Sequence, residues 1–257
     1  MGARLSGAIA SLALAATAGC SSSGPSPSPD AGDAQHMNDG SADADVDAAS
    51  DERGDGAIIA EYDLGGAFSI ARNPNGPWRY GYTQGTALTT AAFALDTNSV
   101  EAGAIGYWHP SDTDYYPYFV GNLTGATAID ATGSWAVRAR EVAMEASGDG
   151  RYSVVQFVAP AAATYEIQAD FSGIHSRLSS TDVHVLHGDV SIFDAAIDGY
   201  GGDPSLHAVE GASPSVSYHA ARPLANGDVL GFAVGIGPNG NNFNDTTGLI
   251  VHIVARE

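Results

Sequence analysis

The chain is 257 residues long, is 44% hydrophobic, and carries 30 acidic against 10 basic residues for a net charge of −20. That length and apolar content supply one large core or two small ones. The charge excludes recognition of nucleic acid or anionic lipid through a basic surface, and a single cysteine, Cys20, excludes a disulfide framework.

The first element is residues 1–19. Arg4 supplies a positive start, and Leu5 to Ala18 form an apolar run of about fourteen residues. A membrane span needs about 20 apolar residues, so this run fits the apolar region of a secretory signal instead. The sequence Thr17-Ala18-Gly19-Cys20 resembles the lipobox of bacterial lipoproteins, with Thr17 where that family usually has Leu. The resemblance implies a palmitate-type acylation of Cys20, which becomes the mature N-terminus. Localisation is then the cell envelope, at the outer membrane surface. The alternative is an ordinary signal-peptidase cut after Ala18, which leaves a free thiol.

Residues 20–57 are expected to be a disordered acidic tether. Ser21 to Ala57 holds nine acids against Arg53 alone, a net −8, with no aromatic residue. Such a stretch buries too little apolar surface to offset chain entropy, and Gly24-Pro25-Ser26-Pro27-Ser28-Pro29 stiffens its first part. Contact with the membrane is expected through the lipid alone. Residues 58–257 retain a net −13, and all their basic residues are arginine.

After Ala57, two-residue alternation and Gly/Asn/Asp/Pro punctuation recur about every ten residues. Strands are predicted over 58–64, 78–84, 89–95, 104–108, 115–120, 136–144, 152–158, 164–173, 181–187, 190–197, 215–220, 229–235 and 249–255. The clearest is 164–173, with Tyr165, Ile167, Ala169 and Phe171 inward and Glu166, Gln168 and Asp170 outward. A dozen short strands without a helix predict an all-β fold: an antiparallel two-sheet β-sandwich of jelly-roll type.

Several segments carry a family resemblance: "NPNGPWRYGY" (73–82), an A-P turn into strand at 159–165, "TDVHVL" (181–186), a Gly-Asp hairpin at 188–189 and "NDTTGL" (244–249). Together they resemble a β-sandwich module of secreted and surface-anchored bacterial proteins, often found beside polysaccharide-acting domains. Ala163 stands where that pattern has Gly. The wider architecture is similar to jelly-roll carbohydrate-binding modules, which implies a glycan or extracellular polymer as partner.

Candidate ligand-binding residues follow from chemistry. Trp78, Tyr80 and Tyr82 stand at i, i+2 and i+4, on one face of a strand, where ring faces suit pyranose C–H surfaces or fill a core. Trp108, Tyr115 and Tyr116 belong to a Pro/Asp/Ser-rich stretch that reads as an exposed loop. Asn242 lies in an amide-rich loop suited to sugar hydroxyls or to turns. Asp245, followed by two threonines, is a candidate for sugar contact or for a structural Ca²⁺; no other cofactor is expected. Asp182 and His184 share a strand face and are expected to form a structural pair. No H-E-x-x-H, G-x-S-x-G or P-loop occurs.

The sequence therefore points to an envelope-anchored, non-catalytic carbohydrate- or surface-polymer-binding domain, recognising neutral sugars by shape. One alternative is a polysaccharide lyase or hydrolase, with Tyr165, His184 and Arg151 available for lyase chemistry. The other is an adhesion scaffold with a Ca²⁺ site.

Overall fold

A computed structural model describes residues 56–206 and 210–257. Cys20, the expected leader 1–19 and nearly all of the expected tether lie outside these residues. The described chain forms sixteen strands: β1 (Ile58–Asp63), β2 (Trp78–Thr83), β3 (Phe93–Leu95), β4 (Asn98–Ala102), β5 (Ile105–His109), β6 (Tyr118–Asn122), β7 (Ala128–Ile129), β8 (Ala136–Val137), β9 (Val142–Glu145), β10 (Ser153–Val158), β11 (Ala163–Gly173), β12 (Ser179–His187), β13 (Val190–Gly199), β14 (Ser215–Leu224), β15 (Val229–Val234) and β16 (Thr247–Arg256). No α-helix occurs among the described residues.

Two antiparallel sheets carry the fold. The larger runs β14-β11-β16-β9-β6-β5-β4, with β1 also on β16; the smaller runs β13-β12-β15-β10-β2-β3. From β9 onward the chain passes repeatedly from one sheet to the other, which is the jelly-roll way of closing a sandwich. Alternation explains the strands. On β11, Tyr165, Ile167, Ala169 and Phe171 are all buried, and on β12, Val183 and Val185 face the same core. Phe157 of β10 meets Trp78, Tyr62 and Tyr165 at ring-centroid distances of 5.1, 5.0 and 5.8 Å.

A cross-strand glycine pair sets one packing detail. Gly106 of β5 lies opposite Gly121 of β6. A Cβ on Gly121 would stand 2.1 Å from the Phe68 ring, and one on Gly106 would stand 2.2 Å from Ile70. The missing side chains let the 64–70 segment lie directly on the sheet.

The larger sheet also buries part of its other face. Ile105, Tyr118, Val120 and Ala143 form a second cluster with Ala128, Trp135 and Val137 of the β7–β8 hairpin and with Ile174. This outer layer builds the site.

Candidate functional site

Between the outer face of the larger sheet and the β7–β8 hairpin lies an open cleft of about 400 Å³. Several segments wall it. Tyr107 and Tyr118 rise from β5 and β6. Tyr115 and Tyr116 come from the loop between those strands. The β7–β8 turn contributes Asp130 and Trp135, and the loop before β16 contributes Asn242 and Phe243. Glu145, at the end of β9, and His175, just after β11, also line it.

The aromatic wall is continuous. Tyr107 lies 5.8 Å from Tyr115, 5.9 Å from Tyr118 and 6.4 Å from Trp135 between ring centroids, and Tyr116 lies 5.2 Å from Tyr118. Tyr115 and Tyr116 are 44% and 38% exposed, large values for aromatic rings packed on each other. Beneath Tyr115 lies the His109 imidazole, 4.8 Å away between centroids. Asn98 Nδ2 and the Ser111 carbonyl engage the two nitrogens of that ring at 3.0 and 2.8 Å. Burial raises the phenols of Tyr107, Tyr115 and Tyr116, the last to about 12. The cleft therefore presents neutral hydroxyls able to donate.

Two carboxylates enter this wall in different states. Glu145 faces Tyr118 across the β6–β9 register. Its Oε2 accepts hydrogen bonds from the Tyr118 hydroxyl and, at 2.7 Å, from Thr246 Oγ1. Burial raises its pKa to about 7 against those two hydrogen bonds, with the charge of Asp245 adding to the rise. Among the described residues no hydrogen bond engages Oε1, and Glu145 lines the cleft.

Asp130 is bound up in its turn. Oδ1 accepts from the Ser134 and Trp135 amides at 2.6 and 2.9 Å; Oδ2 accepts from the Thr132 amide and hydroxyl at 2.9 and 2.5 Å. Burial opposes its ionisation, but these four donors outweigh it and hold the carboxyl below its ordinary value. Its role is to fix the turn that presents Trp135.

His175 Nδ1 accepts the Arg177 amide at 3.2 Å, which places its proton on Nε2. Burial lowers its pKa despite the nearby Asp130 charge, so the ring is a neutral donor. Asn242 Nδ2 donates to the Ala146 carbonyl at 3.1 Å and ties the last loop to the end of β9.

Of the residues singled out in the sequence, Tyr115, Tyr116 and Asn242 line the cleft. The others do not, and for Trp78 and Tyr80 the core alternative is the one the structure shows. Trp78 and Tyr80 are 1% and 0% exposed, because the face they share is the inner face of the smaller sheet. Trp108 also faces the core, and its Nε1 donates to the Ser69 carbonyl at 2.8 Å. It lies on β5 rather than in a loop. Tyr82 is half-buried beneath the Arg151 guanidinium, 5.7 Å from its ring centroid.

Asp245 is wholly buried behind the cleft, so no sugar reaches it. Its Oδ1 accepts the Ser180 amide at 2.8 Å, and Oδ2 has no partner. No group of three or more His, Cys, Asp or Glu among the described residues is placed to hold a metal ion.

The residues considered for lyase chemistry are each engaged separately. Tyr165 is in the core. His184 sits between Asp182 and Asp194 at 2.7 and 2.5 Å. Arg151 is paired with Asp114 and Asp149.

Sequence reasoning missed Glu145, Asp130, Trp135 and His175 as cleft residues. The one signal available for Glu145 was an acid closing the otherwise apolar strand Val142-Ala143-Met144.

No family model and no curated protein matches the chain. Among solved structures it is similar to one described as CBM4, at 10% identity and a TM-score of 0.27, over 60% of this chain and 86% of that one. It is also similar to an isomalto-dextranase of Arthrobacter globiformis T6 complexed with panose, at 11% identity and a TM-score of 0.24 over 69% of this chain. A β-glucosidase from Kluyveromyces marxianus in complex with glucose gives 11% identity and a TM-score of 0.28 over 80% of this chain. The chain spans 23% and 18% of those two enzymes. At such scores the fold assignment rests on the strand pairings themselves, and the functional reading rests on the cleft.

Proposed function

We propose that this protein is an envelope-anchored, non-catalytic binder of carbohydrate or surface polymer, with the outer-face cleft as its binding site. The observation that carries the reading is the exposed pair Tyr115 and Tyr116 standing over Tyr107, Tyr118 and Trp135. Ring faces pack against the C–H surfaces of pyranose rings. The phenol hydroxyls, His175 Nε2 and Asn242 offer the polar contacts that hydroxyl-rich ligands need. Acylated Cys20 would hold the domain at the outer membrane surface, with the acidic residues 20–57 as tether.

The binder is favoured over a hydrolase by the state of the carboxylates. Glycosidic hydrolysis uses a pair of carboxyl groups, one to protonate the leaving oxygen and one to act as base or nucleophile. Asp130 has both oxygens saturated by its own turn, which leaves Glu145 alone in the cleft.

The test is an affinity-gel and glycan-array screen of the full chain, with Tyr115→Ala and Tyr116→Ala beside it. Retention by at least one polymer that falls in both variants supports the reading. Retention unchanged in both would place binding elsewhere. Absence of any binding or turnover would favour an adhesion scaffold.

A further inference from the structure

The cleft is aromatic, but its charge is one-sided. Glu145 is 7% exposed and forms part of the lining, with one carboxylate oxygen held by Tyr118 and Thr246 and the other without a partner among the described residues. Asp130 lines the same cavity, and Asp245 lies buried close behind Glu145. Among the described residues no arginine lines the cleft, and the chain contains no lysine. Among the described residues the sole basic side chain in the lining is His175, the neutral donor described above.

A buried carboxylate without a countercharge is costly, so a ligand that supplies the cation gains what the protein alone forgoes. The walls add to this, because Tyr and Trp ring faces attract a cation placed over them. A uronate or sulfated sugar would instead bring a like charge against Glu145. A purely neutral sugar would leave the unpartnered oxygen without a charge to match.

From this arrangement we infer that the cleft selects polymers of amino sugars whose nitrogen is free and protonated, with Glu145 Oε1 as the acceptor for the ammonium and the tyrosine and tryptophan faces around it. The inference rests on the polymer-binding reading and narrows its ligand class. An ammonium brings three N–H donors. One goes to Oε1, and the others are left for water or neighbouring hydroxyls while the pyranose ring lies on Tyr115 and Tyr116.

The experiment is calorimetric titration of the full chain with three oligosaccharides of equal length: a β-linked glucosamine oligomer, its fully N-acetylated form and a glucose oligomer. Poly-lysine is the sugar-free polycation control. The glucosamine oligomer is expected to bind at least about tenfold tighter than the other two sugars. In Glu145→Gln, which keeps an acceptor for Tyr118 and Thr246, that preference should disappear.

The wild-type comparison decides the matter even if the variant fails to fold. Equal affinity for the free and acetylated amines would overturn the inference and leave the polymer-binding reading intact. So would poly-lysine binding as tightly as the amino sugar, which would reduce the effect to the general charge of the domain. Failure of all three sugars here, and of every polymer in the screen, would remove the polymer-binding reading itself.

Discussion

Arg151 and Asp114 form the clamp that holds the aromatic loop in place. Arg151 Nη1 lies 2.8 Å from Asp114 Oδ2, and Nη2 donates to the Tyr116 carbonyl at 2.9 Å. One guanidinium therefore pins two points of the loop that carries Tyr115 and Tyr116. It also meets Asp149 through Nε at 2.8 Å and rests over Tyr82. Tyr82, which the sequence leaves open between ligand face and core, is the seat of this clamp. Loops held in their bound geometry lose less entropy on binding.

Arg151→Ala should therefore weaken polymer binding by about 1–2 kcal/mol although no ligand contact is removed. Arg151→Lys should recover little of it, since an ammonium cannot span Asp114 and the Tyr116 carbonyl as a planar fork does. Titration of both variants checks this. Unaltered affinity in Arg151→Ala would mean that the loop holds its shape without the clamp.

Truncating the aromatic residues should separate core from site. Trp78→Ala opens a cavity beside Phe157 and should cost roughly 3–5 kcal/mol of stability. Trp108→Ala should also destabilise the fold, because it removes core contacts and leaves the Ser69 carbonyl without its donor. Tyr116→Ala should instead cost on the order of 1–3 kcal/mol of binding with little change in the urea midpoint. The ring is half out of the protein already. A large stability loss in Tyr116→Ala would show that the loop is a structural plug.

The strands were largely legible, because alternation reports burial directly. The prediction of 164–173 differs from β11 by a single residue, and Tyr165, Ile167, Ala169 and Phe171 face inward as the pattern requires. Alternation was silent on which face of which sheet a row of rings would occupy. Trp78 and Tyr80 satisfy a core and a binding platform with the same i, i+2 spacing, and packing against Phe157 and Phe119 decided for the core. The cleft was barely legible for a further reason. Glu145 meets Tyr118 across a strand pairing 27 residues apart, and Asp130 and His175 arrive from two further segments. Such convergence is a property of strand order, which local pattern does not encode.

Anchoring is a prediction about Cys20, outside the described residues. If Thr17-Ala18-Gly19-Cys20 is processed as a lipobox, the wild type should incorporate labelled fatty acid and sediment with membranes. Cys20→Ala should do neither. One acyl chain gives only marginal, reversible attachment, so stable sedimentation requires a second. A wild type that never takes up label would leave the ordinary signal-peptidase cut as the correct processing.

Stability should be greatest near pH 5 and decline as pH rises toward 9. Burial, with the charge of Asp114, raises Asp96 from 3.8 to about 8, and neither of its carboxyl oxygens has a partner. Burial likewise holds Glu145 at about 7 and Asp245 at about 6. Between the unfolded values and these folded ones the native state binds more protons than the unfolded chain, so stability falls with rising pH. The slope is up to roughly 1.4 kcal/mol per pH unit for each group.

His184 acts in the same direction. Burial opposes its charge, but hydrogen bonds to Asp182 and Asp194 win and raise its pKa above 6.5. Its contribution is full below 6.5 and is lost as pH climbs through the raised value. The acid limb runs the other way. Burial resists ionisation of Asp182, yet His184 and the Gly237 amide hold it low, and Ser191 and His184 do the same for Asp194. Their stabilisation is present above 3.8 and disappears as pH falls through the lowered values. Urea midpoints at pH 5, 7 and 9 check the profile, and Asp96→Asn should flatten its alkaline side and exceed wild type at pH 9. A wild-type midpoint at pH 9 equal to or above that at pH 5 would show that these buried carboxyls ionise without cost, with water or a cation reaching them.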